Sequence, residues 1–174
     1  MDGGFAEYCA YPADKLFKFN NLSWTEASLF EATSCALHGL DQLQVKVGFK
    51  ALLIGSGPTG LCLAQLLRHN GGRHVTVASN KGEKMDLAKR LECGDEYVEL
   101  DRSNPEPQWE ELKKNHPFGF DVVIEASGSH QLAEKAIDYV SKKGKLLYYG
   151  VYAKDALVNV SPSKIFRDEI TIVG

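Results

Sequence analysis

From Lys50 onward the chain alternates two kinds of segment. Short apolar runs rich in β-branched residues fall at residues 50–55, 74–78, 96–99, 121–126, 145–150 and 169–173, and each reads as a strand. Helical patterns run between them over residues 58–69, 82–92, 108–114 and 131–141. Such regular alternation implies parallel strands joined by right-handed crossovers, with helices on both faces. The fold class expected is therefore α/β, a doubly wound parallel sheet of six strands. The first part of the chain stands outside this series: residues 4–12 alternate like a strand, and a helix is expected from residue 25 towards 43. Residues 101–107 and 152–162 are the least regular connections, and no linker separates autonomous domains.

The turn after the first strand of the series carries the most specific local chemistry. Gly55-Ser56-Gly57-Pro58-Thr59-Gly60 is a G-x-G-x-x-G turn that opens directly into a helix. Gly55 lets the chain turn off the strand, Gly57 removes a side chain where a pyrophosphate approaches, and Gly60 lets helix and sheet lie close. Pro58 and Thr59 suit a first helical turn whose N–H groups attract an anion. A glycine-rich turn can also serve packing alone. The flanking strand, the helix and a second strand at βαβ distance favour nucleotide binding.

Composition narrows the remaining classes. With 174 residues, 44% hydrophobic and 25% charged, the chain is long enough for a real core. A net charge of −3 gives no electrostatic footprint for nucleic acid or an anionic membrane. No apolar run has membrane-spanning length and no signal-peptide pattern opens the chain, so a cytoplasmic location is expected. Cys9, Cys35, Cys62 and Cys93 are widely spaced and read as reduced thiols in core or half-buried positions. The five histidines show no metal-ligand spacing.

Four ordered segments carry a family resemblance: Gly3-Gly4-Phe5-Ala6-Glu7-Tyr8, the run from Phe30 to Gly39, the turn from Gly55 to Gly60, and Asp121-Val122-Val123-Ile124-Glu125-Ala126-Ser127-Gly128. Together they resemble the zinc-dependent medium-chain dehydrogenases, most of all the sorbitol and fungal D-arabinitol dehydrogenase group. The resemblance implies that residues 1–30 are a remnant of a GroES-like catalytic domain and residues 31–174 a Rossmann domain. It also implies that most zinc ligands of the family lie outside this sequence, which puts zinc binding and turnover by this chain in doubt. Glu31 aligns with a glutamate beside the family's catalytic zinc, whereas spacing alone reads it as a carboxylate near a helix start. His38 reads as a packed or capping histidine. Family members join their last strands edge to edge, so homo-oligomer formation through residues 169–173 is expected.

Cofactor choice turns on the end of the second strand, where an acidic residue bonds the ribose hydroxyls of NAD. Here Ser79 stands at the position of the family's Asp, followed by Asn80 and Lys81, and Lys84 stands where the family often has an arginine. Ser79 and Asn80 offer hydrogen bonds to phosphate, and Lys81 offers charge, so NADP is expected over NAD. The bland alternative is that Lys81, Glu83 and Lys84 are a solvated helix start. Ser127 with Gly128, and Val151 with Tyr152, follow the fourth and fifth strands, and in the family these loops border the nicotinamide. As residues they are equally ordinary turn chemistry. Glu125 reads as a strand-end carboxylate turned to solvent or to a neighbouring amide. The expected activity is NADP-linked conversion of a polyol to a ketose; the alternative is a dinucleotide-binding module or fragment without turnover.

Overall fold

The computed structural model describes residues 4–174. Contacts divide the chain into two units, one ending at Glu31 and the other running from Ala32 to Gly174. In chain order the helices and strands are α1 (Trp24–Ala27), α2 (Phe30–Leu43), β1 (Lys50–Ile54), α3 (Pro58–His69), β2 (His74–Asn80), α4 (Glu83–Arg90) and β3 (Glu96–Leu100). They continue as α5 (Glu106–Asn115), β4 (Phe120–Glu125), α6 (His130–Ala136), β5 (Val140–Tyr148), α7 (Pro162–Asp168) and β6 (Thr171–Val173).

The six strands form one parallel sheet in the order β3-β2-β1-β4-β5-β6. Each central strand divides its side chains between two apolar layers, as period-two geometry requires. Ala51 and Leu53 of β1 join Val75, Val77, Val122 and Ile124 on one face, with Leu63 and Leu67 of α3. Leu52 and Ile54 join Val123, Leu146, Trp109 and Leu112 on the other. The sheet is thus covered on both sides, and the near-continuous apolar character of its strands follows from that. Tyr139 ties the second layer to α5, donating a hydrogen bond from its hydroxyl to the Trp109 carbonyl at 3.0 Å.

The doubly wound expectation holds, with α3 spanning the expected residues. Other bounds differ for local reasons. Residues 4–12 form no strand: every one is exposed and none takes part in a ladder. Gly3 of the first resemblance segment lies outside the described residues. The helix expected over residues 25–43 is two helices, since the Ser28 hydroxyl turns back to the Thr25 carbonyl at 2.7 Å and α1 stops. Strand β5 begins at Val140 rather than 145, after α6 has tightened into a single 3-10 turn at Ile137–Tyr139. Helix α7 was not expected, although Ser161 caps it and Pro162 opens it. It ends with Glu169 in the left-handed region at φ 53°, so β6 starts only at Thr171.

In the first unit, Ser23 and Glu26 cap α1 reciprocally, the Ser23 N–H donating to the Glu26 carboxylate at 2.7 Å. Leu22, Trp24, Leu29 and Phe30 are exposed. So is His38 on α2, which is therefore not a packed residue. Cys93 is buried and Cys62 half-buried, but Cys9 and Cys35 are exposed rather than filling core positions.

Candidate functional site

The sheet order reverses at β1, which has β2 on one side and β4 on the other. A crevice opens at such a switch point, outside the carboxyl ends of the strands. The backbone closes around it: the Gly55 N–H donates to the Ala78 carbonyl at 2.8 Å and the Ala126 N–H to the Ile54 carbonyl at 2.9 Å. Gly55 has φ +110°, where a side chain is strained. A Cβ on Gly60 would sit on the Gly55 carbonyl oxygen, so α3 lies against the strand end only because that residue has none. A Cβ on Gly57 would meet nothing within 4 Å, and this is the open side of the turn.

Several features of the turn suit an anion. Gly57 caps α3 without a side-chain hydrogen bond, and Pro58 occupies the first turn. The Ser56 hydroxyl is buried and has no hydrogen-bond partner among the described residues, so it can serve a phosphate oxygen. Thr59 and Gly60 complete the first turn of α3.

A cavity of about 400 Å³ extends from this turn to the end of β2. Of the residues singled out from sequence, Gly55, Gly57, Ser79, Asn80, Lys81, Lys84 and Ser127 line it together. No carboxylate stands at the Ser79 position. The acidic group on the wall is Glu83, at the start of α4. Arg102 also lines the cavity, and sequence reading passed over it. It follows β3 in an irregular loop, and only the pairing of β3 beside β2 brings it next to Lys81, whose N–H donates to the Leu100 carbonyl at 3.1 Å. Lys81, Lys84 and Arg102 thus line one cavity together with Glu83.

At the other end, Glu125 is fully buried at the end of β4, not turned to solvent. Its carboxylate accepts from the Ser127 N–H at 2.8 Å and the Gly128 N–H at 3.2 Å, and from the hydroxyls of Ser127 and Tyr152. Burial, and then the bond to Glu125, push the Tyr152 hydroxyl far above its ordinary pKa of 10.0. Tyr152 is therefore a fixed neutral donor. Gly128, at φ +75°, leaves room for the Val151 carbonyl, which a Cβ would meet at 2.6 Å. Val151 and Tyr152 do not line the cavity, and the Val151 side chain is exposed.

Glu31 belongs to no group of three His, Cys, Asp or Glu side chains whose donor atoms lie close enough for one ion, among the described residues. Among the described residues no helix is long and apolar enough to cross a membrane.

Comparison with known proteins shows the family. The family model for zinc-binding dehydrogenases matches residues 58–174. D-arabinitol dehydrogenase 1 of Uromyces fabae is 52% identical over 174 residues, covering 100% of this chain and 50% of that protein. An NADP-bound structure from Sinorhizobium meliloti 1021, assigned to the zinc-binding dehydrogenases, superposes with a TM-score of 0.73 at 25% identity, covering 83% of this chain and 42% of that one. An alcohol dehydrogenase of Escherichia coli CFT073 in complex with NADH shares the fold at a TM-score of 0.86 and 21% identity, covering 98% of this chain and 49% of that one. The chain spans about half the length of the curated relatives it matches.

Proposed function

Since the chain belongs to the zinc-binding dehydrogenase family, we propose that it is the cofactor-binding part of an NADP-linked polyol dehydrogenase, which interconverts a sugar alcohol and its ketose. The observation that carries the cofactor choice is the wall at the end of β2, where Ser79 replaces a carboxylate and Lys81, Lys84 and Arg102 gather. A carboxylate there would repel a 2′-phosphate. Hydroxyl, amide and cationic groups instead supply charge-assisted hydrogen bonds to it. The polyol substrate class rests on the likeness to D-arabinitol dehydrogenase.

In this reading residues 1–30 belong to a GroES-like catalytic domain and residues 31–174 to the Rossmann domain. Bound NADP supplies the hydride acceptor at its nicotinamide. The chain's own residues orient it. The first turn of α3, with Gly57 and the Ser56 hydroxyl, receives the pyrophosphate. Ser79, Asn80, Lys81, Lys84 and Arg102 hold the adenosine ribose phosphate. Ser127 and Val151 border the nicotinamide, and Tyr152 and Glu125 keep those two loops in place. A cytoplasmic location and self-association through residues 169–173 accompany this reading; the second rests on β6 being an edge strand of the sheet, with one side unpaired.

Titration of the chain with NADPH and NADH at fixed ionic strength tests the proposal. Saturable binding with NADPH tighter is expected. Equal affinities, or tighter NADH, would overturn the NADP assignment, and binding of neither would overturn the cofactor site.

A further inference from the structure

At the amino ends of β2 and β3, the opposite end of β2 from Ser79, three side chains far apart in sequence meet. His74 opens β2, Glu96 opens β3, and His116 follows α5. The Nε2 atoms of His74 and His116 lie 3.3 Å and 2.8 Å from the same Glu96 carboxylate oxygen, and the three donor atoms are all within 4.8 Å of one another. By strand rise the cluster is ~16 Å from Ser79, so it is no part of the cofactor cleft.

We propose that His74, Glu96 and His116 form a binding site for a divalent transition metal ion, with zinc as the first candidate. Two imidazole nitrogens and a carboxylate oxygen suit such an ion, and bond lengths of ~2.0–2.1 Å place tetrahedral donors about 3.3 Å apart. The separation from Glu96 to His74 matches that value and the one to His116, at 2.8 Å, lies below it. The hydrogen-bonding arithmetic also points to a cation. A carboxylate oxygen offers about two lone-pair directions, yet the Thr76 hydroxyl also donates to this same oxygen, at 2.7 Å. Three groups converge on it. Replacing the two imidazole protons with one ion relieves the excess and leaves Thr76 orienting the carboxylate from behind.

The surroundings hold the donors in place and leave the ion a way in. Thr76 is fully buried. The His116 ring packs on Phe120 with centroids 4.5 Å apart and its side chain is only 10% exposed, whereas His74 and Glu96 remain 31% and 29% exposed. Solvent therefore reaches the cluster from one side, where water would complete the coordination. Bridging three elements, the ion would pin the start of β2, the start of β3 and the end of α5 together.

The test is titration of the chelator-stripped chain with zinc chloride and cobalt chloride, followed by calorimetry and by the visible spectrum of cobalt. One equivalent is expected to saturate, to raise the thermal midpoint, and to broaden the imidazole proton resonances of His74 and His116 while His38, His69 and His130 stay sharp. His74→Gln and Glu96→Gln should each weaken binding at least about tenfold, with circular dichroism and NADPH affinity unchanged. Glu31→Gln should keep full affinity. Absence of saturable uptake, broadening at other histidines, or uptake retained by both cluster variants would overturn the proposal. The resonance test needs no variant to fold, and NADPH titration answers separately for the cofactor site.

Discussion

The buried carboxylate of Glu125 accepts a hydrogen bond from the Tyr152 hydroxyl, joining the end of β4 to the loop that follows β5. The same carboxylate takes the Ser127 and Gly128 N–H groups, so one side chain organises both loops beside the cleft. Tyr152→Phe removes one donor from a buried carboxyl group. It should cost roughly 1–3 kcal/mol of stability, since a buried acceptor loses a partner. Urea unfolding with the slope unchanged checks this, and NADPH affinity should fall with it if the loops border the nicotinamide.

Ser79→Asp restores a carboxylate at the end of β2. The preference for NADPH over NADH should fall by at least about tenfold, a difference of about 1.4 kcal/mol. Fluorescence titration with both nucleotides reads this directly, and an unchanged ratio would sink the NADP assignment.

Arg102→Ala removes a cation that only the pairing of β3 with β2 brings to the cavity. NADPH binding should weaken by about tenfold or more, the usual worth of a charge-assisted hydrogen bond, and NADH binding far less. An equal loss for both would assign Arg102 to the pyrophosphate instead.

Gly60→Ala places a methyl on the Gly55 carbonyl oxygen. Forcing α3 off the strand end should cost about 1–3 kcal/mol, as overpacking does, and should also displace the phosphate-binding turn. Thermal unfolding and NADPH titration should therefore both show the loss.

Burial first, then the carboxylates of Asp138, Glu106 and Glu110, push the Tyr139 hydroxyl up to about 12. The folded chain holds that proton more tightly than the unfolded chain, whose value is near 10. Stability from Tyr139 is therefore fully present below about pH 10 and lost as pH rises towards 12. Tyr139→Phe should flatten that alkaline decline, measured by urea midpoints across the range.

The alternation of apolar runs with helical segments was enough to establish the parallel sheet and helix α3, because burial on both faces leaves a continuous apolar signature in each strand. The steric roles of Gly55 and Gly60 were legible too, since steric demands at a tight turn are local. Residues 4–12 were misread for the opposite reason: alternation states only that a segment would suit a strand, and a ladder partner must come from elsewhere in the chain. Helix α7 was missed although Ser161 and Pro162 announced it, because seven residues carry too little periodicity to stand out. Tertiary structure alone decided where Arg102 faces, how Glu125 is satisfied, and that His74, Glu96 and His116 meet. Strand order sets those meetings, and it follows from how the whole sheet packs rather than from spacing along the chain.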